Sequence, residues 1–502
     1  MPPLLALFSW PLVVLVLAKK FAPALAFVLA ILAGFLLLPE NTEFDLPMLP
    51  ALTKHSMPAL AVLLLITLFR PSRAGEDNSL LPQSLFVWIA SLGMAVGALL
   101  TVVTNGDLIH FGVVFLPGMR LYDGLSQILS AFILLLPMLL ARKFLARPET
   151  HILLLQVLCF AGLGYSLLAL IEVRMSPQLN QWIYGFFPHS FAQHYRAGGW
   201  RPIVFLSHGL VLSIFFFMVM LAAAGLSRLD GKKRRVFLAA TAWLFLTLIL
   251  SKSFGALIIG ILLLPIALFL GVRGQLIAAS TIACLVLSYP VARSGGFIPV
   301  EQIRHQVEQI DPQRASSFAT RTQNEDMMLA KAQQRPWFGW GGWGRSRVLD
   351  PTTGADITIA DGYWIIVLGV GGWVRYLFEF GLLCVPLLLL LVHCRRYEIG
   401  MESSILALML AGNLIDMLPN ASATPLTWMI AGALWGRLEL GRIAAKTQPE
   451  PAAGPGGRTR PEYSRSAPPR NETDEARPDR PSQYTRQRSR HERQRKRETE
   501  HG

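Results

Sequence analysis

Long apolar runs separated by short polar connections fill most of the chain. A helix needs about 20 residues to cross about 30 Å of hydrocarbon, so the shortest of these runs are marginal spans. The pattern predicts an all-α, polytopic transmembrane helical bundle of about 12–13 spans, within a domain covering residues 1–445. Thirteen runs reach or approach spanning length, at 4–18, 21–38, 57–69, 83–103, 125–141, 151–172, 202–226, 236–250, 256–271, 275–290, 362–394, 402–418 and 424–440.

The composition narrows the class of protein. Of the 502 residues, 53% are hydrophobic and only 16% are charged, whereas a soluble protein is about 25% charged, so the lipid bilayer is the first expected partner. The net charge of +14 lies mostly in short loops and near the C-terminus. That distribution fits membrane topology better than nucleic-acid binding, and we expect no nucleic-acid partner. The four cysteines contain no C-x-x-C pair, so neither a disulfide framework nor a zinc site is indicated.

Connections rich in Lys and Arg alternate with connections that are poor in them. Because cytoplasmic loops retain these residues, the rich set is predicted to be cytoplasmic. This places the polar segment 291–361 outside, as a large loop before the last three spans, and the C-terminus inside. Residues 446–502 are rich in Pro, Gly, Arg and Glu and poor in aliphatic residues, which predicts a disordered basic cytoplasmic tail. Such a tail can contact anionic lipid headgroups or a partner, or can simply be solvated.

The segment 291–361 carries the first candidate chemistry. Its part from 301 to 334 mixes cations, including Arg321, with carboxylates, and predicts amphipathic helices on the outer surface. The stretch Pro336–Gly344 interleaves tryptophan with glycine and is typical of a membrane-interface foot or of a sugar-binding platform. Asp361 ends the segment. An aspartate there acts as a helix N-cap or, sheltered among arginines, accepts a proton from a hydroxyl group.

A second outward-facing connection, 172–202, interleaves cations with aromatic side chains. Guanidinium groups such as those of Arg196 and Arg201 match phosphate oxygens, and aromatic rings stack on sugars; an interfacial belt with snorkelling Arg is the alternative. His208 is predicted to lie just inside the seventh span, on the same helix face as Arg201. It is either a functional residue or a packing residue. Lys252, between the eighth and ninth spans, either reaches a phosphate or is an ordinary interfacial lysine.

The apolar run 362–394 is too long for one straight span. Its 33 residues would extend about 50 Å as a helix. Glycines interrupt the run at 369, 371 and 372, and Arg375 and Glu379 follow four residues apart on one face. Broken helices are tolerated at membrane depth where they line protein or a cavity. We therefore predict a half-helix beside an active cavity, with Arg375 and Glu379 near its floor, or paired for structure alone.

These residues resemble the superfamily of bacterial O-antigen ligases and O-antigen or exopolysaccharide polymerases. The resemblance extends over roughly residues 150–440 and is strongest from Arg321 to Leu383. It rests on Arg321, on the P-x-F-G-x-G pattern in Pro336–Gly341, and on Asp361 before the aromatic pair Tyr363-Trp364 and the Gly-rich segment Gly369–Gly372.

The chain departs from the family pattern at three places. His208-Gly209 stands where the family often has His-Pro-Asn, and Ser251-Lys252-Ser253 stands where it often has Ser-Arg. Ligases of the family carry a catalytic His at the end of the large loop, whereas this chain has Asp361. That difference favours a polymerase.

The resemblance implies a metal-independent, inverting glycosyltransferase without cofactors, multi-pass in the bacterial inner membrane and active at its periplasmic face. It would transfer glycan from an undecaprenyl-diphosphate-linked oligosaccharide to a sugar hydroxyl of a growing polysaccharide acceptor, with a chain-length regulator or export partners. The alternatives are an O-antigen ligase acting on lipid A-core, a lipid-linked glycan transporter or flippase, and a structural membrane component. The implied catalytic residues are Asp361, Arg321 and His208, and the implied substrate-binding residues are Arg196, Arg201, Lys252, Trp340, Tyr363 and Arg375.

Overall fold

A computed structural model describes residues 2–46, 49–69, 81–196, 198–310 and 312–447. The predicted cytoplasmic tail, 446–502, lies outside the described residues apart from its first two positions. The helices are α1 (Pro3–Lys20), α2 (Pro23–Leu37), α3 (Met57–Phe69), α4 (Leu85–Val103), α5 (Leu121–Phe144), α6 (Pro148–Met175), α7 (Leu179–Tyr184), α8 (Gly209–Leu229), α9 (Arg234–Leu250), α10 (Phe254–Phe269), α11 (Val272–Ser294), α12 (Val300–Ile310), α13 (Pro312–Ala332), α14 (Tyr363–Val392), α15 (Met401–Asp416) and α16 (Pro425–Thr447).

The prediction of an all-α helical bundle is confirmed. Each of the thirteen apolar runs contains most of one helix, and the helices predicted in the large loop are α12 and α13. Seven helices in the described part of the chain, α1, α4, α5, α6, α8, α11 and α14, are long and apolar enough to cross a membrane. The chain therefore has the helices of a multi-pass membrane protein, and the count of 12–13 spans stays a prediction.

In the described part of the chain, three short antiparallel hairpins lie in the connections between helices, and the sequence pattern did not predict them. They pair β1 (Phe44–Leu46) with β2 (Leu49–Leu52), β3 (Ile109–Phe111) with β4 (Val114–Leu116), and β5 (Tyr195–Arg196) with β6 (Gly199–Trp200). Their strands have two to four residues, too few for a clear alternation of apolar and polar positions. In the third hairpin, Arg196 ends the first strand, and Arg201 directly follows the second strand.

Helix α8 lies at the centre of the bundle. It packs against α6, α9, α10 and α15, and it is apolar on all sides, as a helix buried on every face must be. Close packing depends on small residues in its neighbours: a Cβ at Gly412 of α15 would lie 2.2 Å from the Phe217 ring of α8. The N-terminus of this central helix carries His208.

The predicted break in the long helix α14 is present at Gly372, whose φ of 64° and ψ of −165° are non-helical. The Trp-Gly stretch, Pro336–Gly344, fills the break. The amides of Trp340 and Gly341 donate to the carbonyls of Gly369 and Val370, at 2.9 Å each, and the amides of Trp373 and Val374 donate to the carbonyls of Pro336 and Trp337, at 2.8 and 3.2 Å. These four bonds satisfy backbone groups that the broken helix leaves free.

Glycines in the stretch and in α14 allow the two backbones to approach each other closely. A Cβ at Gly339 would lie 2.6 Å from the Val370 carbonyl, and a Cβ at Gly372 would lie 2.4 Å from the Trp337 carbonyl. Both residues also have positive φ, which glycine adopts without a steric penalty. The backbone of Pro336–Gly344 thus pairs with the broken helix, and the membrane-foot and sugar-platform roles of its side chains stay predictions.

One geometric prediction is wrong. Arg201 and His208 do not share a helix face, because α8 begins only at Gly209 and the segment before it is irregular. The Glu172 carboxylate at the end of α6 accepts the amides of Ile203 and Val204 at 2.8 and 2.7 Å. These two amides are therefore bonded to a side chain and not to helical carbonyls, which holds the segment before α8 in a non-helical conformation.

Candidate functional site

Arg201 is a buried cation without a matching anion. Only 2% of the residue is exposed, its Nε has no hydrogen-bond partner, and it forms no ion pair within the described residues. Burial, followed by the charges of Arg196 and Arg321, lowers the pKa of Arg201 to about 10, while the charge of Asp416 acts in the opposite direction. Burying a charge without a partner is costly, so this is a position where an anionic ligand would be favoured.

The local backbone explains how Arg201 is held. Its amide donates to the carbonyl of His194 at 2.7 Å, next to the hairpin that pairs Tyr195 with Trp200. Its side chain lies over the first turn of α8, where a Cβ at Gly209 would be 2.6 Å from the Arg201 Cδ and Nε. A larger residue at position 209 would therefore displace the Arg201 side chain from the start of α8.

Arg321 and Asp361 join α13 to the end of the large loop. The Arg321 Nε lies 3.3 Å from the Asp361 Oδ2, with the side chains 33% and 39% exposed. Asp361 is not the N-cap of α14, because that position belongs to Gly362. The Asp361 carboxylate is thus turned toward a cation rather than toward the helix backbone.

The end of α15 brings a further carboxylate, that of Asp416, to the site. The Tyr363 amide donates to the Met417 carbonyl at 3.0 Å, which ties the start of α14 to the connection between α15 and α16. Asp416, 2% exposed, accepts a hydrogen bond from the Asn420 Nδ2 at 2.9 Å through one oxygen. Its charge raises the pKa of Arg201, whereas the charge of Arg321 lowers it.

Three histidines lie next to Arg201. A ring nitrogen of each of His189, His194 and His208 lies within 4.8 Å of the other two. His208 caps α8 by accepting the Leu210 amide at its Nδ1, at 3.0 Å. Burial and then the Arg201 charge lower the pKa of His208 to about 3, and burial followed by His189 and Arg201 lowers the pKa of His194 to about 4. Both rings are therefore neutral at pH 7.

The other predicted site residues lie in three places. The Lys252 Nζ donates to the Arg196 carbonyl at 3.0 Å, so it supports the hairpin that carries Arg196. Trp340 donates to the Lys331 carbonyl at 2.8 Å, and the Arg335 guanidinium lies 4.3 Å from its ring centre. Its placement in the large loop, beside these cations, gives no support to a sugar-stacking role.

Tyr363 and Arg375 meet within α14. Both bond the fully buried Glu379 carboxylate, Arg375 through its Nε at 2.8 Å and Tyr363 through its hydroxyl. The two side chains also line a cavity of about 270 Å³ between α4, α5 and α14. The predicted pairing of Arg375 with Glu379 is present, next to a cavity beside the broken helix.

The structure thus brings together Arg196, Arg201, Arg321, Asp361 and His208 from the predicted set, and adds His189, His194 and Asp416. The two histidines belong to the polar connection 172–202 but have no distinguishing spacing. Asp416 had one signal, because it is the only charged residue between positions 403 and 418 of an otherwise apolar run, and charges in such runs are functional candidates.

No protein-family model and no curated protein matches the sequence.

Proposed function

We propose that the protein is a glycosyltransferase that moves a glycan from a polyprenyl diphosphate to a sugar hydroxyl of a growing polysaccharide. One observation carries the proposal: Arg201, buried without an ion pair among the described residues, lies in the field of Arg196 and Arg321. Arg196 lies on the hairpin just before Arg201, whereas Arg321 comes from α13. Such a concentration of like charge is stabilised by a multiply charged anion, and a diphosphate attached to a lipid is an anion of this kind.

The proposed chemistry is a displacement with inversion at the anomeric carbon. The acceptor hydroxyl oxygen forms the new bond to that carbon, the bond from carbon to the phosphate oxygen breaks, and the hydroxyl proton passes to the Asp361 carboxylate. Polyprenyl diphosphate leaves with the bonding electron pair. Arg196, Arg201 and Arg321 stabilise the charge that develops on the leaving group, and Asp361 acts as the general base.

Arg321 links the two parts of this mechanism. Its Nε contacts Asp361, and its terminal nitrogens have no other ion-pair partner in the described part of the chain. It can therefore orient the carboxylate and bind a phosphate oxygen with different atoms. His208, beside Arg201, would assist by donating to the diphosphate, and Lys252 would act indirectly by supporting Arg196.

The proposal includes the location. The alternation of basic connections favours an inner-membrane protein whose site faces the periplasm. Among related activities, Asp361 in place of a histidine favours polymerase over ligase.

A flippase for the same lipid-linked glycans is the second candidate from a different class. It predicts charged groups along a path through the membrane, and Arg375 and Glu379 beside the cavity of α14 are the observation in its favour.

The test in cells is polymer length and yield when variants are expressed at the level of the natural protein. Arg201→Ala and Arg321→Ala are expected to abolish long polymer and to accumulate outward-facing single repeat units. Arg347→Ala serves as the control, because Arg347 belongs to the same loop but pairs with Asp356 at 3.3 Å. Unchanged polymer in both of the first two variants would overturn the proposal. Accumulation of inward-facing units would instead support the flippase.

A further inference from the structure

The histidine cluster has the composition of a metal site. His189 and His194 come from the connection between α7 and α8, and His208 comes from the N-cap of α8. The ring centres are 4.7 Å apart for His189 and His208, 5.3 Å for His194 and His208, and 5.5 Å for His189 and His194. One nitrogen from each ring can therefore point to a common centre.

His194 supplies an independent observation. The residue is fully buried, and neither of its ring nitrogens has a hydrogen-bond partner within the described residues. Buried polar atoms are nearly always satisfied, so two free nitrogens on one buried ring call for a ligand. An aromatic packing role would leave both nitrogens unsatisfied.

We infer that His189, His194 and His208 form a binding site for a divalent late transition-metal ion, with Zn²⁺ the expected occupant. Three imidazoles with one open position are a common ligand set for Zn²⁺. Ligand nitrogens lie about 2.0–2.1 Å from zinc. The three nitrogens are within 4.8 Å of one another, so each of them needs to move toward the metal by roughly 1 Å or less.

The positive charge of the neighbouring arginines indicates which kind of fourth ligand the metal would have. The positive charges of Arg201 and Arg196 act on His194 and His208 and repel a dication. An anionic fourth ligand, such as a phosphate oxygen held by Arg201, offsets this repulsion. Metal and oxyanion are therefore expected to bind together more tightly than either alone.

His208 must change its bonding to take part. When Nδ1 accepts the Leu210 amide, the neutral ring carries its proton on Nε2, and neither nitrogen is then free for a metal. The metal bond therefore replaces the cap bond at the start of α8. His189 is exposed, so its ring is accessible to a metal ion from solution.

This inference differs from the metal-independent reaction that the family resemblance implies. It also stands apart from the proposed glycosyl transfer, because metal binding is measured without any glycan donor. A protein that binds the metal but does not elongate glycan would overturn the proposed function and leave the metal site intact.

The test is the metal content of the full-length protein, purified in detergent with a tag that contains no histidine and with Zn²⁺ in the growth medium. We expect roughly one zinc per chain in the natural protein and at least tenfold less in His189→Ala, which removes an exposed ligand. His110→Ala is the control, since that exposed ring only packs against Phe115, and it should retain zinc. A natural protein without stoichiometric zinc, or His189→Ala with full zinc content, would overturn the inference.

A second measurement replaces zinc with Co²⁺ after chelation. Visible absorption bands of four-coordinate cobalt are expected in the natural protein and not in His189→Ala, and inorganic phosphate should tighten cobalt binding more in the natural protein than in Arg201→Met. Absent bands in the natural protein would contradict the three-histidine site. Equal affinity with and without phosphate would contradict the anionic fourth ligand.

Discussion

The Arg321 Nε lies 3.3 Å from the Asp361 Oδ2, so a cation of α13 and a carboxylate at the start of α14 form one unit. About a third of each side chain is exposed, which leaves the pair accessible to a ligand. Because Arg321 also acts on the buried Arg201, this unit connects the carboxylate to the rest of the cation cluster.

The first prediction concerns the general base. Asp361→Asn keeps the shape of the side chain but removes its ability to accept a proton. It is expected to lower kcat roughly 10²- to 10⁴-fold with little change in KM. The matched control is Asp356→Asn, a carboxylate of the same loop that is 40% exposed and pairs with Arg347. Equal losses of kcat in both variants, measured with lipid-linked repeat units, would show that Asp361 has no special role.

The second prediction separates function from stability at Arg201. Arg201→Met is expected to reduce turnover roughly 10²- to 10³-fold, since it removes a donor to the leaving diphosphate. Its Tm should be unchanged or higher, because the substitution removes a buried charge that has no ion-pair partner among the described residues. Thermal unfolding and turnover are measured on the same preparation. A lower Tm with normal turnover would mean that Arg201 is a structural residue.

The third prediction concerns the break in α14. Gly372→Ala forces a residue with a Cβ into a φ of 64° and toward the Trp337 carbonyl at 2.4 Å. We expect a loss of at least about 1–3 kcal/mol of stability. Gly342→Ala, in the same Trp-Gly stretch but without any atom within 4 Å of the added Cβ, should leave the Tm nearly unchanged. Equal Tm values for the two variants would argue against the pairing of the stretch with the break.

The fourth prediction concerns the pair within α14. Glu379 is fully buried and Arg375 is 33% exposed. Glu379→Gln should therefore cost about 2–3 kcal/mol, somewhat less than the about 3–5 kcal/mol for a fully buried pair. The double variant with Arg375→Met should recover part of the loss. Glu301→Gln, in the exposed pair with Arg304, is the control and should cost under about 1 kcal/mol. Strictly additive losses in the double variant would contradict a direct interaction.

The fifth prediction is a pH dependence from Glu325 on α13. Burial raises the pKa of Glu325 from 4.5 to about 7, although Arg293 lies 3.7 Å away and opposes the shift. The folded state therefore holds more protons than the unfolded state between these values, and the free energy of unfolding should fall as pH rises from about 4.5 to 7. Glu325→Gln should flatten this slope, and unfolding measured at a series of pH values checks it. The same slope in the variant would assign the dependence to another group.

Hydropathy predicted the helices of the thirteen apolar runs, because each apolar run of sufficient length must satisfy its backbone internally. The short helix α7 lies outside these runs and was not predicted. The glycines at 369–372 predicted the break in α14. Side-chain placement before α8 was not predictable from spacing, since Glu172 bonds the backbone after Arg201 and prevents a helix there. The histidine cluster forms in the irregular connection between α7 and α8, which has no local periodicity. The contribution of Asp416 and the pairing of Pro336–Gly344 with α14 depend on contacts between segments that are distant in the sequence.

The most direct test of the central proposal uses purified protein in lipid bilayers with polyprenyl-diphosphate-linked repeat units and no nucleotide sugar. The measurement is the amount of polyprenyl diphosphate released for each new glycosidic bond. Elongation with one diphosphate released per bond is expected in the natural protein, and both products should form at least about 10²-fold more slowly in Asp361→Asn. Repeat units that cross the bilayer without forming a glycosidic bond would contradict the proposal.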